Sequence, residues 1–199
     1  MRSEKVTTRE ARRLATRERL FALAAGEFKK TGVAGADVGA IVAAAGIAHG
    51  TFFFHFPTKE HVVAELGQRE EQRMARDLDG YLATSRDVRA VLSEFVRLTL
   101  ATERRIGRRL FQDLHTLYFS PTRPELRLWP DHPVVARLIA EFARAHARGE
   151  IDRDADPASS VMIFLLGLYG LLVIHERNAA RVAMLEQLVN TTVRGLQRR

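Results

Sequence analysis

The sequence predicts an all-α protein, and three observations support that prediction. Alanine, leucine, arginine and glutamate, which favour helices, dominate the 199 residues. Apolar residues recur at helical spacing, and no stretch sustains the alternation of polar and apolar residues that marks a surface strand. Gly32, Gly46 and Pro57 stand where periodic segments end. At 46% hydrophobic content, the chain has enough apolar material for a core.

The periodicity predicts nine helical segments, taken here in chain order. Their expected limits are about residues 8–30, 37–45, 49–54, 58–84, 87–104, 106–118, 134–148, 157–176 and 180–196. Asp37 and Thr58 can cap the second and fourth helices, whereas Gly32 and Gly46 end the first and second. Four prolines within residues 120–133 predict a loop between the sixth and seventh helices.

The net charge of +7 is concentrated at the start of the chain. Residues 1–19 hold seven Arg or Lys against three Glu. Such a basic segment suits nucleic acid or an acidic membrane surface. Charge alone is equally compatible with a helix start that is merely well solvated, because charge says where a protein can bind and not what it recognises.

The composition and the start of the chain also bear on location. Cysteine is absent, which excludes disulfides, zinc–thiolate sites and thiol nucleophiles and fits a reducing compartment. The first twenty residues are charged and lack the apolar segment of a secretion signal. The longest apolar run, residues 161–174, is shorter than the roughly 20 residues that span a bilayer and is interpreted as a buried helix. We therefore expect a cytoplasmic protein with no membrane partner.

Catalytic and cofactor motifs are missing from the sequence. No Asp or Glu is followed three residues later by His, as helical di-iron sites require, and no Gly-x-Ser-x-Gly, P-loop or Gly-x-Gly-x-x-Gly occurs. His146 and Glu150 are four residues apart, but a surface pair is the simpler interpretation. We expect no enzyme activity, no metal site and no cofactor.

Residues 37–56 hold two short predicted helices joined at Gly46. Two helices linked by a glycine-containing turn of three or four residues have the geometry of a helix-turn-helix, whose second helix enters the DNA major groove. An ordinary corner between two helices has the same pattern, so the pattern alone leaves both interpretations open.

A longer string, residues 17–66, carries a specific combination of motifs. They are Ala24, Ala25 and Phe28, Gly32, Ile41, Ala44 to Ile47, Gly50 and Thr51, His55 and Phe56, and Lys59 and Glu60. With these motifs in register, the string resembles the DNA-binding domain of the TetR family of bacterial transcriptional regulators. The resemblance implies a three-helix DNA-binding domain over residues 1–57 and a helical effector-binding and dimerisation domain over residues 58–199.

Within the first domain, the resemblance implies a basic arm over residues 1–10, a helix-turn-helix at about 37–56 and a set of DNA contacts. The expected contacts are His49, Gly50, Thr51, Phe53, Phe54, His55 and Lys59. The threonine can donate to a phosphate or contact a base, and His55 and the lysine are expected to meet phosphates. The first histidine is the candidate for base readout, and the glycine beside it lets the backbone come close to the DNA.

Four phenylalanines crowd residues 52–56 and are expected to play two roles. By resemblance, Phe52 and Phe56 are core residues that pack against Phe21 and Phe28 of the first helix.

Phe53 and Phe54 stand where the family often has tyrosines. Each missing hydroxyl removes a possible phosphate hydrogen bond worth about 1 kcal/mol. The two rings can instead contact sugar edges or a thymine methyl group. Gly39 and Ala48 replace a longer and a capping side chain that are common in the family, so base contacts should be few.

The C-terminal domain is expected to enclose a small hydrophobic or aromatic effector. Candidate ligand-binding residues are Phe95, Leu98, Phe111, Leu114, His115, Tyr118, Phe142, Phe164 and Tyr169. Any one of these at helical spacing is more simply a core residue, but together they suggest an apolar cavity with a few polar groups.

The run at 161–174 is apolar on every face and needs neighbours all round, as in the centre of a monomeric core or at a dimer interface. The resemblance favours the second and implies a homodimer through the helices at about 157–176 and 180–196. The family resemblance then implies a regulator of transcription, usually a repressor, that leaves a palindromic operator when its effector binds. The alternative is a peripheral membrane or scaffold protein that uses the basic arm and the phenylalanine cluster.

Overall fold

The computed structural model describes residues 8–84, 87–118, 120 and 132–197, and these residues form nine α-helices and no strand. The helices are α1 Thr8–Gly35, α2 Val38–Ala45, α3 His49–His55, α4 Lys59–Leu82, α5 Val88–Ile106, α6 Arg108–Tyr118, α7 Pro133–Ala147, α8 Pro157–Ile174 and α9 Ala179–Leu196. The all-α prediction is confirmed. Most of the expected basic arm (residues 1–7) and most of the expected proline-rich loop (121–131) lie outside the described residues.

The chain divides into two compact units that do not follow its linear order. The first unit takes its described residues from Met1–Leu66 and Gly107–Pro124, and therefore contains α1 to α3, the start of α4, and α6. The second takes them from Gly67–Ile106 and Glu125–Arg199, and contains the rest of α4 with α5 and α7 to α9. The functional boundary expected after residue 57 stays a prediction.

The first helix differs from its expected course at Gly32. We expected the helix to end there, but helical structure resumes and continues to Gly35. Gly32 itself leaves the helical conformation, with φ 77° and ψ 167°, so it bends the helix. A Cβ atom at this position would lie 2.7 Å from Cδ of Arg109, which only a glycine avoids.

Helix α6 supplies partners for the backbone groups at this kink. The Asp113 carboxylate accepts a hydrogen bond from the Val33 N–H at 2.8 Å, and the Arg109 guanidinium donates to the Thr31 carbonyl oxygen at 3.2 Å. Because a helix that bends releases such groups from their regular partners, α6 helps to complete α1.

The core of the first unit contains the two phenylalanines expected there. Phe52 and Phe56 are fully buried, with ring centroids 5.9 Å apart, and Phe21 and Phe28 of α1 are buried as well. The prediction that Phe52 and Phe56 belong to the core is therefore confirmed.

In the second unit, α8 packs against α7 and α9, and α9 also packs against α5. The close approach of α8 and α9 depends on Gly167, where a Cβ atom would meet Leu188 at 3.0 Å. The expectation that α8 is a buried helix is met on one face only. Within a single chain, Ile163 and Ile174 are 70% and 75% exposed, and Leu166 is also exposed.

Among the described residues, the helix Pro157–Ile174 is long and apolar enough to cross a membrane. The helices Val38–Ala45 and His49–His55 reach that length and apolarity only if they are counted together as one bent span. The helix Pro157–Ile174 is longer than the fourteen-residue apolar run because four residues precede that run. Core helices of soluble proteins can also be this long and apolar, so the result is weak evidence for a membrane span.

A buried cluster of charged groups ties the end of α5 to the start of α9. The Arg181 guanidinium donates to both carboxylate oxygens of Glu103, at 3.1 and 2.9 Å, and both side chains are buried. Arg177 donates to the carbonyl oxygen of Glu103 at 3.1 Å and lies 3.2 Å from its carboxylate. Burial acts to raise the pKa of Glu103, but the hydrogen bonds from Arg181 and Arg177 outweigh it and hold that pKa below its ordinary value.

Candidate nucleic-acid interface

The turn between α2 and α3 consists of Gly46, Ile47 and Ala48. Gly46 adopts the left-handed conformation, with φ 63° and ψ 38°. Its N–H donates to the Ala43 carbonyl at 3.0 Å, while the N–H of Ile47 donates to the Val42 carbonyl at 3.1 Å. This pair of bonds is a Schellman motif, which ends α2 and reverses the chain within three residues.

The N-caps of α2 and α3 are the residues that the sequence predicts. Asp37 accepts a hydrogen bond from the Gly39 N–H at 2.7 Å, as expected of an N-cap. Ala48 occupies the N-cap position of α3 and makes no side-chain hydrogen bond. Across the turn, α2 and α3 form an angle of 98°, within the range of helix-turn-helix motifs.

The predicted DNA contacts on α3 lie on its accessible side. Phe54 is 73% exposed and Phe53 is 41% exposed, whereas Phe52 between them and the turn is fully buried. His49 and Gly50 are exposed, and the remaining predicted contacts, Thr51, His55 and Lys59, are partly exposed. The structure therefore brings all seven residues to the surface of the first unit, and their contacts with DNA stay predictions.

Arginines of α1 lie beside the end of α3. Burial, followed by the positive charges of Arg13 and Arg17, lowers the pKa of His55 below its ordinary value. Arg17 pairs with Glu65 of α4, and its guanidinium carbon lies 4.5 Å from the centre of the Phe56 ring. Sequence analysis attributed basic character to this region but did not connect individual arginines with α3, because the contacts join residues about forty positions apart.

Lys59 has a different environment from the one expected. Its ammonium group donates hydrogen bonds to the carbonyl oxygens of Ala34 and Ala36, both at 3.3 Å. It therefore satisfies backbone acceptors at the end of α1. A phosphate contact by Lys59 stays a prediction, and it would use the remaining N–H of a group that already has two partners.

The helix-turn-helix itself carries no formal charge. Residues 38–56 contain no Asp, Glu, Lys or Arg, and their only titratable side chains are His49 and His55. Any attraction of phosphates by charge in this region must come from neighbouring segments such as α1 and from Lys59.

The predicted effector-binding residues are divided between the two units. Phe111, Leu114, His115 and Tyr118 lie on α6 in the first unit, and the other five lie in the second. Seven of the nine are buried, while Tyr118 and Tyr169 are partly exposed.

Two local contacts involve the predicted effector-binding residues. On α6, the Nδ1–H group of His115 donates to the Phe111 carbonyl at 2.7 Å, and the two ring centroids are 4.1 Å apart. In the second unit, the rings of Phe95 and Phe164 are 6.3 Å apart. These contacts are compatible with core packing and with a cavity wall, so the effector-binding assignment stays a prediction.

The sharp turn, the 98° angle and the accessible second helix together have the geometry of a helix-turn-helix, the motif whose second helix enters the DNA major groove. Residues 20–66 match the family model described as bacterial regulatory proteins, tetR family. This match confirms the resemblance of residues 20–66 to the DNA-binding part of that family. None of the curated proteins compared with the chain matches it in sequence.

Solved structures with the same fold cover both units. The TM-score is 0.72 for the Thermus thermophilus FadR, a TetR family transcriptional repressor in complex with lauroyl-CoA, at 19% identity over 92% of this chain and 96% of that one. The TM-score is 0.64 for the fatty acid degradation regulator FadR from Bacillus halodurans, at 16% identity over 90% of this chain and 99% of that one. A TetR family transcriptional regulator from Agrobacterium tumefaciens gives a TM-score of 0.63, at 14% identity over 94% of this chain and 100% of that one.

Proposed function

We propose that the protein is a repressor that binds a palindromic operator as a homodimer and is released by a small hydrophobic effector. The observation that carries the DNA-binding part is the α2–α3 pair, with its three-residue turn, its angle of 98° and its exposed second helix. The proposed location is the cytoplasm, where a bacterial operator is accessible.

The proposed dimer forms through α8 and α9. Large apolar side chains are exposed on both helices, namely Ile163, Leu166 and Ile174 on α8 and Val182 and Met184 on α9. Contiguous exposed apolar surface marks an interaction site, and a two-fold axis would let the same patch of each copy cover the other. In the dimer, the two copies of α3 must stand about 34 Å apart to enter successive major grooves.

The proposed effector binds among the aromatic residues of the C-terminal domain. Support comes from the number of buried aromatic side chains in the predicted set and from the polar groups that His115, Tyr118 and Tyr169 add to it. Lauroyl-CoA is the first compound to test, because the Thermus FadR structure contains it. The proposed coupling route is α4, whose residues belong to the first unit up to Leu66 and to the second unit from Gly67.

A gel-shift titration with DNA that flanks the protein's own gene tests the proposal. We expect a palindromic fragment to be shifted at a lower protein concentration than a scrambled duplex of the same composition, with steep dependence on salt between 50 and about 200 mM. Addition of an effector should lower the affinity for the palindrome. An effector that binds tightly and leaves operator affinity unchanged would exclude the proposed switch.

The alternative of a peripheral membrane protein loses part of its basis. It relied on four clustered phenylalanines, but Phe52 and Phe56 are fully buried, which leaves only Phe53 and Phe54 to enter a lipid surface. Binding to anionic vesicles, together with equal affinity for palindromic and scrambled DNA, would restore this alternative.

A further inference from the structure

The outer face of α3 is defined by its angular relation to the buried Phe52. At about 100° per residue, Gly50 and Phe54 each lie within roughly 20° of the direction opposite to Phe52. His49 and Phe53 fall on one flank of the helix, and Thr51 and His55 fall on the other. The two residues that point most directly away from the core are therefore a glycine and a phenylalanine one turn apart.

The exposures of the side chains agree with these angles. The Phe53 ring is 41% exposed because it packs at 5.3 Å from the Phe52 ring and 5.4 Å from the His49 ring. Phe54 is 73% exposed, and its ring lies edge-on to that of its neighbour His55 at 5.1 Å. A Cβ atom at Gly50 would meet nothing within 4 Å. Phe54 therefore projects from the accessible face of α3 with most of its ring exposed.

The chemistry of a phenyl ring restricts what it can recognise in the major groove. The ring has no hydrogen-bond donor or acceptor, so it cannot read the polar edges of the base pairs. The one apolar group that the major groove presents is the C5-methyl group of thymine. Because residues 38–56 carry no formal charge, no charged side chain of α2 or α3 competes for the groove around this ring.

We propose that Phe54 is a specificity-determining residue, whose ring packs against the C5-methyl group of one thymine in each operator half-site. This inference rests on the proposed function, because it assumes that α3 enters the major groove of an operator. The absence of a side chain at Gly50 allows α3 to approach the bases closely enough for this contact. Phe54 then takes the central readout position that sequence analysis gave to His49.

The test removes the methyl group from the DNA and the ring from the protein. The probe is the tightest-binding duplex that the full-length protein selects from a random library. Each thymine is replaced in turn, in both half-sites, by deoxyuridine, which lacks only the methyl group and keeps the base pair. Affinities are measured by fluorescence anisotropy for the unmodified protein and for Phe54→Ala, with Phe53→Ala as the matched control.

For one thymine per half-site, we expect the substitution to weaken binding about fourfold, and about sixteenfold when both half-sites are changed. Phe54→Ala should weaken binding to the thymine duplex and abolish the deoxyuridine effect at that position. Phe53→Ala should retain the effect, because its ring lies on the flank of α3. Circular dichroism must show unchanged helix content for both variants, which we expect because the Phe53 and Phe54 side chains are exposed.

The inference fails if no thymine is sensitive to loss of its methyl group. It also fails if the sensitivity persists in Phe54→Ala, which would assign the contact to another group, such as the methyl of Thr51. Both results leave operator binding intact. If the library yields no duplex that binds better than scrambled DNA, the proposed function fails and this inference fails with it.

Discussion

At the scale of single residues, the phenylalanine cluster shows that position on the helix decides the role of a side chain. Phe52 and Phe54 are two residues apart and chemically identical, yet one is fully buried and the other is 73% exposed. A helix turns by about 100° per residue, so side chains two positions apart point in nearly opposite directions. The same residue type therefore serves the core and the surface within one turn of α3.

Substitution by alanine should separate these two roles. Phe52→Ala removes a fully buried ring and should lower the free energy of unfolding by about 3–5 kcal/mol. Phe54→Ala removes an exposed ring and should change it by no more than about 0.5 kcal/mol. Urea denaturation followed by circular dichroism measures both. Equal losses in the two variants would mean that the cluster is packed differently.

The lowered pKa of His55 predicts a dependence of stability on pH. In the unfolded chain, His55 takes up a proton near its ordinary pKa of about 6.5. The folded state holds the side chain neutral to lower pH, because burial and the charges of Arg13 and Arg17 oppose protonation. The unfolded state therefore binds more protons in this range, and the contribution of His55 to stability falls as pH falls through the unfolded value.

His55→Gln should remove this contribution, because glutamine does not ionise. We expect the free energy of unfolding to fall less between pH 7.5 and pH 5.5 in the variant than in the unmodified protein, as measured by urea denaturation. A steeper fall in the variant would mean that the folded state favours the charged form of His55.

At the scale of elements, the turn between α2 and α3 depends on one glycine. Gly46 has φ 63°, and an added Cβ atom there would meet no neighbour within 4 Å, so a substitution affects only the backbone. Gly46→Ala should lower the free energy of unfolding by about 1–2 kcal/mol. Gly26→Ala in the interior of α1 is the matched control, since its Cβ also meets nothing and helical φ suits alanine.

The control should stabilise the protein by about 0.5–1 kcal/mol, because alanine favours a helix more than glycine does. Thermal unfolding of the two variants measures the expected loss of stability in Gly46→Ala and the expected gain in Gly26→Ala in one experiment. If Gly46→Ala were neutral, the left-handed conformation at this turn would not be required.

The buried charges of Glu103 and Arg181 should behave as a coupled pair. Arg181→Met takes away the bidentate partner of the buried Glu103 carboxylate, which keeps its contact with Arg177, and should cost on the order of 3 kcal/mol. The double variant Glu103→Leu/Arg181→Met removes both charges and should recover most of the loss. Denaturant unfolding of the two single variants and the double variant measures the coupling. Additive losses would show that the ion pair contributes nothing beyond its separate side chains.

Most helix limits were predictable because their signals are local. The N-cap Asp37 and the glycine that ends α2 act within a few residues, and a reader of the sequence can recognise both. The break in helical conformation at Gly32 was also predictable, but the residues that sustain it, Arg109 and Asp113, were not, because they come nearly eighty positions later. The hydrogen bonds of Lys59 to carbonyl groups near the end of α1 were missed for the same reason: these carbonyl groups are not its neighbours in the sequence.

At the scale of the whole molecule, the exposed apolar residues of α8 predict the oligomeric state. Ile163 and Ile174 are at least 70% exposed in a single chain, and the proposed dimer would cover them. Ile163→Glu/Ile174→Glu places charges at the interface and should convert the dimer to a monomer, because an uncompensated buried charge is costly.

Sedimentation velocity distinguishes the two states, and circular dichroism checks that helix content is unchanged. Gln68→Glu/Gln72→Glu adds the same charge on an exposed part of α4 and should stay dimeric. A dimeric Ile163→Glu/Ile174→Glu variant would exclude α8 as the interface.

The position of α6 limits how this chain can be divided or recombined. Thr31 and Val33 of α1 take partners from a helix that the ribosome makes only after α4 and α5. A fragment that stops at residue 57 or 66 would therefore lack part of its own first unit, although it contains the whole helix-turn-helix. Gene fusions that aim to transfer the first unit to another protein must carry two separate stretches of the chain, so the unit cannot be exchanged at a single crossover point.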